Sequence, residues 1–336
     1  MVKVFKPIWV LLLLLLGVSE ATAAPATRKV IIAHGPVSGN VLPLWVAKDQ
    51  KLFEKYGLEA ELVVVRGTST VISGLVSGDI DIGYTGGTGV VGGAPGGADL
   101  KVVASFFNKT ILRVVARPEI EKIEELKGKR LGVQSIGGAG WMQAMLALEQ
   151  LGLEPRRDNI AVLSGGVDSV RIQALEAGSI DFTVFSDVSF ALMLKPKGFR
   201  ILAETPPIPF ASLGIVVQRR YIQRQGEVLE NVLKALAEAV AFALSPERKT
   251  SIIGLMTKRL NIRSEAVEER YKEIPRILDR KPYTSIEGMQ NIQRLMKLYS
   301  PQVAKIDAQG LVDNSIIEKL DQSGFLDRLQ NAYGVK

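Results

Sequence analysis

The sequence has no cysteine and a single histidine among its 336 residues. The lack of cysteine excludes disulfides, thiol nucleophiles, cysteine-ligated zinc and a lipid anchor on an N-terminal cysteine. His34 has no evident catalytic partner and no carboxylate pair stands out, so a structural role for His34 is favoured over catalysis. These absences predict a protein that is not an enzyme and that has neither a cofactor nor a metal site.

The sequence also lacks a cluster of charge of either sign. It has 42 Lys and Arg against 35 Asp and Glu, a formal net charge of +7, and these residues are spread through helical segments. Such a distribution is typical of a solvated surface, so we expect no nucleic-acid partner and a monomer. A hydrophobic content of 47% is ample for a packed core.

The N-terminus has the three parts of a secretory signal peptide. Lys3 and Lys6 precede an apolar run from residue 8 to residue 18, and small residues follow at 21–23. The alternative is a membrane anchor, but this run is shorter than the roughly 20 apolar residues that a spanning helix needs. We therefore predict a signal peptide over residues 1–23 and an exported, periplasmic protein without a lipid anchor.

An internal repeat with an offset of 100 residues organises the first two-thirds of the chain. The string STVISGLVSGDIDIGYTGG, which starts at Ser69, aligns with SVRIQALEAGSIDFTVFSD, which starts at Ser169. Each copy alternates apolar strands with amphipathic helices, and Gly78 and Gly178 are placed as helix caps. The repeat predicts two similar lobes, each with a mostly parallel sheet covered on both faces.

The fold class predicted is α/β, with two doubly wound lobes joined by two chain crossings and a helical C-terminal tail. Residues 116–119 and the Pro-rich segment 205–209 are the predicted crossings. Lobe one then comprises residues 28–116 plus 210–336, and lobe two comprises residues 117–209. The tail from residue 227 onward has apolar residues at helical spacing.

Ligands of open α/β sheets bind beyond the carboxyl ends of the strands, where helices present free N–H groups. Six loops rich in Gly, Ser, Thr, Asn or Asp fall at such ends. They are residues 34–40, 66–70, 84–88, 135–141, 164–169 and 185–189. Helix capping alone explains any single loop, but six loops at one rim favour a ligand cleft.

Four side chains in these loops have two interpretations each. Trp141 either stacks on a ligand or forms a packed wall, and the same alternatives apply to Tyr84 and Phe185 at matching strand ends. Asp187 either pairs with a ligand amine or caps a helix.

Three segments closely resemble the substrate-binding proteins of nitrate, sulfonate and taurine ABC importers, the NMT1/THI5-like or SsuA/TauA-like group. They are LFEKYGL from Leu52, LVSGDIDIGY from Leu75 and LKGKRLGV from Leu126, and the resemblance covers residues 29–220. It implies a type II periplasmic-binding-protein fold that closes on its ligand and docks on a permease paired with an ATPase. The family's ligand positions correspond to Ser38, Asn40, Thr68, Ser69, Thr85, Gly86, Gly138, Ala139 and Ser169.

The resemblance leaves the ligand open among nitrate, sulfonates, taurine and pyrimidine precursors of thiamine. Convergent helix N-termini favour an anion such as a sulfonate or a carboxylate, and we expect it to be held mainly by N–H and O–H donors. One alternative function is a periplasmic sensor module for a signalling receptor. Another is a thiamine-pyrimidine synthase-like enzyme, but those proteins use histidine and a cysteine-rich motif that this sequence lacks.

Overall fold

The computed structural model describes Met1, residues 27–35 and residues 38–335. The predicted signal peptide, apart from Met1, lies outside the described residues. Ten strands in the described part of the chain form two five-stranded sheets. The strands are β1 (Arg28–His34), β2 (Leu58–Val64), β3 (Ile82–Thr85), β4 (Leu100–Thr110), β5 (Arg113–Ala116), β6 (Arg130–Val133), β7 (Ala161–Ser164), β8 (Phe182–Phe185), β9 (Arg200–Glu204) and β10 (Ile208–Gln218).

The helices of the first two-thirds of the chain lie between these strands, and the others follow β10. They are α1 (Leu42–Asp49), α2 (Leu52–Lys55), α3 (Thr68–Ser77), α4 (Gly87–Gly93), α5 (Ala139–Gln150), α6 (Asp168–Glu176), α7 (Val188–Leu194), α8 (Arg219–Arg224), α9 (Gly226–Leu244), α10 (Lys249–Leu260), α11 (Ser264–Ile277), α12 (Ile286–Met296), α13 (Ser315–Gln322) and α14 (Phe325–Ala332). The predicted helical tail is confirmed.

The two sheets have the same topology. The strand orders are β2-β1-β3-β10-β4 and β7-β6-β8-β5-β9. In each sheet the first three strands are parallel, and the fourth is antiparallel to both neighbours. Each reversed strand, β10 or β5, is the one that the chain enters on arriving from the other sheet. The α/β class and the mostly parallel sheets are therefore confirmed. We call the residues packed around the first sheet lobe one and those around the second lobe two.

The repeated sequence motif has the same structural role in both lobes. Gly78 ends α3 with φ 92°, and Gly178 follows α6 with φ 70°, so both occupy the left-handed region that glycine tolerates best. The aspartate three residues further on then ties two strands together. Asp81 Oδ2 accepts a 2.8 Å hydrogen bond from the Ile31 N–H, and Asp181 Oδ2 accepts one of the same length from the Arg130 N–H.

The two chain crossings lie side by side between the lobes. The Leu112 N–H donates to Thr205 Oγ1 at 3.0 Å, and the Thr205 N–H donates to the Leu112 carbonyl at 2.9 Å. Pairing of Arg113–Ala116 in the second sheet places the first crossing before β5. This differs from the predicted crossing at residues 116–119 and the lobe boundary after residue 116. The second crossing, between β9 and β10, falls within the predicted segment 205–209.

The C-terminal helices pack mainly on lobe one, although α11 also packs on α7 of lobe two. α9 contacts α1 and α2, while α12 packs on β10 and α4. Most of α9 is buried, including the run from Ala235 to Leu244. α12 also touches α5 of lobe two, so one apolar cluster continues from lobe one through Met289 and Ile292 to Trp141 and Met142.

Candidate functional site

A cavity of about 480 Å³ lies between the two lobes. Its wall combines the first turns of α3 and α5, one side of α4 and the residues at the end of α12. The lining residues are Thr68, Ser69, Ile72, Ser73, Thr88, Gly89, Gly92, Gly93, Gly137, Gly138, Ala139, Met296, Tyr299 and Ser300. None of these described residues carries a formal charge, so the wall offers hydroxyl groups, backbone and apolar surface.

Two helix N-termini meet at this cavity from opposite lobes. α3 begins after Gly67, α5 begins after Gly138, and neither helix has a side-chain cap. The first N–H groups of an α-helix have no partner within the helix and carry a partial positive charge. Residues at the start of both helices line the cavity, namely Thr68 and Ser69 of α3 and Gly138 and Ala139 of α5. Thr68 and Ser69, both exposed in the first turn of α3, add two hydroxyl donors.

Of the sequence-predicted ligand residues, Thr68, Ser69, Gly138 and Ala139 line the cavity. Ser38 is partly exposed just before the turn at 39–41, as is Asn40 within it. Their loop follows β1 in lobe one. Ser169 is exposed in the first turn of α6 in lobe two, outside the set that lines the cavity.

Thr85 and Gly86 are buried, at the end of β3 and just before α4, and neither is among the residues that line the cavity. A Cβ at Gly86 would collide with the Ser212 carbonyl oxygen. Only glycine therefore allows α4 to start this close to β10.

The three aromatic residues with two interpretations are packed in this structure. Tyr84 is 1% exposed, stacks on Phe106 with ring centroids 6.0 Å apart, and donates from its hydroxyl to the Asn40 carbonyl at 2.8 Å. Phe185, also 1% exposed, has the Arg171 guanidinium 5.0 Å from its ring centroid. Their contacts favour the packing interpretation over ligand stacking.

Trp141 is 9% exposed and lines a different groove, with Leu295 and Leu298 near the end of α12. This groove is separate from the cavity at the helix N-termini, so Trp141 too is placed as a packed side chain. A fourth aromatic, Tyr299, lines the cavity. Its ring lies against Gly137, where a Cβ would come within 2.6 Å of a ring carbon.

A buried ionic network lies beside the loop that follows β1, and only Asn40 and Asp187 of its members are predicted from the sequence. Arg270 of α11, 1% exposed, donates to Asn40 Oδ1, and its Nε is 3.7 Å from Asp187 Oδ2 in lobe two. Glu273, one turn along α11, accepts from Arg113 of lobe two. Burial lowers the pKa of Arg113, and Glu204 opposes that effect. A guanidinium keeps its charge in proteins, so this network joins the lobes through ion pairs.

His34 is placed as a structural residue at the end of β1. It is 4% exposed, and its Nδ1 lies 2.7 Å from the Gly35 carbonyl oxygen, to which it donates. Burial lowers the pKa of the imidazole, which favours the neutral form at pH 7. In the described ranges no group of three or more His, Cys, Asp or Glu is arranged to hold a metal ion.

No helix formed by the described residues has the length and apolarity needed to cross a membrane.

Comparison with known proteins gives relatives that are named as binding proteins for sulfonates or nitrate. A candidate aliphatic sulfonates-binding protein of Escherichia coli K12 is 23% identical over 278 residues, which cover 81% of this chain and 83% of that protein. The alkanesulfonate-binding protein SsuA of Xanthomonas axonopodis pv. citri, solved with MOPS bound, superposes with a TM-score of 0.65 at 21% identity, covering 87% of this chain and 99% of the other. The periplasmic nitrate-binding protein NrtA of Synechocystis PCC 6803 gives 0.67 at 13% identity, covering 90% of each chain.

These structural likenesses confirm the periplasmic-binding-protein fold. The model of the family described as NMT1/THI5 like matches residues 38–249, more than half of the chain. The chain therefore belongs to the NMT1/THI5-like family.

Proposed function

We propose that this protein binds a small anionic organic solute in the cavity between its lobes and delivers it to an ABC import permease. The observation that carries the proposal is the pair of uncapped helix N-termini, at Thr68 and Ala139, that meet there from opposite lobes. Helix N-termini favour anions because their N–H groups point outward and the helix dipole is positive at that end. Relatives named for sulfonates and nitrate support the same class of ligand.

The wall explains how an anion is held without a lysine or arginine in contact. The donors are backbone N–H groups and the hydroxyls of Thr68, Ser69, Ser73, Thr88 and Ser300. A hydrogen bond to a charged group contributes about 1.5–3 kcal/mol. Ile72, Met296 and Tyr299 supply an apolar side suited to an organic tail. The volume of about 480 Å³ falls within the range of small-molecule pockets.

Ligand capture in this proposal uses the two crossings as a hinge. Donors on lobe one and lobe two reach the same solute only when the lobes are together, so an anion between them stabilises the shut form. Residues 28–111 with 206–335 then move against residues 112–205, the division that the sheet pairing favours. The shut form is the species that docks on the permease. The proposal places the protein in the periplasm as an unlipidated monomer, exported by the segment 1–23, and gives it no catalytic role.

A thermal-shift screen with matched four-carbon solutes tests the ligand class. Butanesulfonate and butyrate carry an anion, butanamide is neutral and butylamine is a cation, while nitrate, taurine and MOPS extend the set. A ligand at a hundred times its Kd adds about 2.7 kcal/mol to the free energy of unfolding. We expect at least one anion to raise the melting temperature by several degrees. Stabilisation by the amide or the amine alone would contradict the anionic proposal.

A pair of variants tests the position of the site. Thr68→Val removes a cavity hydroxyl and keeps the side-chain shape, while Ser77→Ala alters a hydroxyl at the far end of α3. We expect Thr68→Val to weaken binding of the stabilising anion about tenfold, which corresponds to about 1.4 kcal/mol, and Ser77→Ala to leave it unchanged. Equal affinities in the two variants would place the anion elsewhere.

Delivery to a permease needs a separate test. Genes for a permease and an ATPase beside this one, and loss of uptake of the bound anion on deletion, are the expected results. A neighbouring histidine-kinase gene with unchanged uptake would instead indicate a sensor.

A further inference from the structure

Arg270 connects three parts of the molecule from a fully buried position. Its side chain is 1% exposed and contacts Asn40 in the loop after β1, Glu273 on its own helix and Asp187 in lobe two. Gly39 allows this arrangement, because a Cβ there would be 3.1 Å from Arg270 Nε and 3.3 Å from Asp187 Oδ2. The loop that the family resemblance assigns to ligand binding is therefore held between the guanidinium and the second lobe.

The guanidinium determines which way the Asn40 carboxamide faces. An arginine side chain has five N–H donors and no acceptor, so it accepts only the orientation in which Oδ1 points toward it. The Nδ2 group then points away from Arg270 and has no hydrogen-bond partner among the described residues, while Asn40 remains partly exposed. The backbone of Asn40 is held as well, since its carbonyl accepts from the Tyr84 hydroxyl at 2.8 Å.

The same helix makes ion pairs across the lobe boundary. Besides Arg270 with Asp187, Glu273 of α11 pairs with Arg113, and Arg276 Nη1 is 3.5 Å from Glu204 Oε1. Each pair has one partner in lobe one and the other in lobe two. Arg270 and Glu273 are buried, whereas Arg276 is 50% exposed, so only the first two pairs are shielded from water. Separating the lobes breaks all three pairs, so the pairs favour the arrangement in which the lobes are together.

We propose that Arg270 is a positioning residue that couples the ligand loop to lobe closure. It keeps the two N–H groups of Asn40 Nδ2 available for an oxyanion. Because Arg270 also pairs with Asp187 of lobe two, it holds Asn40 in this orientation when the lobes are shut. The Asn40 half of the proposal rests on the anionic ligand class proposed above, whereas the closure half does not. Arg270 itself does not touch the ligand.

The absence of cysteine makes closure measurable in this chain. Gln50 lies after α1 in lobe one, Gln150 ends α5 in lobe two, and both are exposed. Spin labels on Gln50→Cys and Gln150→Cys would report the distance between the lobes by pulsed EPR. The distance is measured without ligand and with the anion that gives the largest thermal shift, starting with butanesulfonate.

Three variants and one control test separately the positioning of Asn40 and the closure of the lobes. Arg270→Lys keeps the charge but loses the planar fork that reaches several partners, and Asp187→Asn removes only the charge in lobe two. Asn40→Asp keeps the contact with Arg270 but presents an oxygen to the ligand in place of two N–H groups. Arg259→Lys is the control, because Arg259 pairs with Asp49 at 2.8 Å within lobe one, where both are partly exposed.

We expect Arg270→Lys and Asp187→Asn to shift the ligand-free distance distribution to longer values, while Arg259→Lys leaves it unchanged. Asn40→Asp should keep the wild-type distances and melting temperature but bind butanesulfonate at least tenfold more weakly. If neither Arg270→Lys nor Asp187→Asn alters the distances, the closure half is overturned. If Asn40→Asp binds the anion as the wild type does, the positioning half is overturned. If no anion binds the wild type, the proposed ligand class fails, and the distances still decide the closure half.

Discussion

Glu238 offers the sharpest test of how the C-terminal helices are attached to lobe one. This carboxylate of α9 is 3% exposed and accepts hydrogen bonds from three side chains in other segments. Lys55 Nζ is 2.7 Å from both of its oxygens, the Tyr56 hydroxyl is at 2.6 Å and the Tyr333 hydroxyl is at 2.7 Å. Glu238→Gln removes the charge while keeping the size of the side chain.

The expected loss follows from these contacts. The two tyrosine bonds change from charge-assisted to neutral, and each such change costs about 1 kcal/mol. Lys55 is 54% exposed, so solvent screens its ion pair and its loss adds at most about 0.5 kcal/mol. We expect Glu238→Gln to lower the free energy of unfolding at pH 7 by about 2 kcal/mol, the sum of these contributions.

The pH dependence provides an internal check. Burial alone would raise the pKa of Glu238, but hydrogen bonds from Lys55, Tyr56 and Tyr333 outweigh it and hold the pKa below the ordinary value. The stabilisation is therefore complete above the unfolded pKa of about 4.3 and is lost as the pH falls through the lower folded value. Burial and Glu238 also raise the pKa of Tyr333 to about 12, so a further loss is expected as the pH rises from about 10.

Urea unfolding followed by circular dichroism at pH 3, 7 and 10 measures the difference. Glu227→Gln is the control, because Glu227 is exposed in the first turn of the same helix. We expect its effect to stay within about 0.5 kcal/mol. The reasoning is refuted if Glu238→Gln costs less than the control at pH 7, or if its deficit is as large at pH 3 as at pH 7.

Three other predictions concern the site and its supports. Gly86→Ala should prevent folding or lower the melting temperature by more than about 10 °C, since the added Cβ meets a backbone carbonyl of β10; Gly254→Ala, with nothing within 4 Å, should not destabilise the protein. Thr205→Val leaves the buried Leu112 N–H without its hydroxyl acceptor and should lower the free energy of unfolding, measured in urea, by about 1–3 kcal/mol. Thr205→Ser keeps the hydroxyl and should retain most of that stability. Because the pKa of His34 is lowered, its stabilising contribution is present above about pH 6.5 and declines below it. His34→Gln should therefore flatten the stability profile between about pH 5 and 7, and an unchanged slope would contradict this.

The repeat was predictable because each repeated residue has a local structural role. Gly78 and Gly178 are needed where the chain turns left-handed after a helix, and Asp81 and Asp181 each accept a neighbouring strand's N–H. The glycine is required by the adjacent helix end, and the aspartate bonds to a strand about fifty residues earlier in the same lobe, so both requirements leave the same pattern in the two copies. The mostly parallel sheets followed from that pattern alone.

The crossings were harder to predict because they depend on distant partners. The strand β4 pairs with β10, which lies about a hundred residues further along the chain, and β5 pairs with β8 and β9. The sequence of a short strand such as Arg113–Ala116 does not indicate which sheet the strand joins. The sheet that it joins is decided by the strands that it meets after the chain has folded, so the sequence pattern alone does not locate the boundary between the lobes.

The candidate site shows the same division between local and distant information. Thr68, Ser69, Gly138 and Ala139, which line the cavity, could be predicted as candidates because polar or small residues at a helix start are a local signal. Tyr84 and Trp141 are packed in the structure, but the sequence alone does not distinguish an aromatic side chain that packs from one that stacks on a ligand.

Arg270 is 230 residues from Asn40 in a helix whose charges, by sequence alone, are typical of a solvated face. Its role follows only from burial, because a guanidinium excluded from water must find acceptors, and the acceptors here belong to the ligand loop and to the other lobe. Residues at the start of a helix that lines the cavity can thus be predicted from sequence, while a buried residue such as Arg270 that holds a loop in place is identified only in the folded structure.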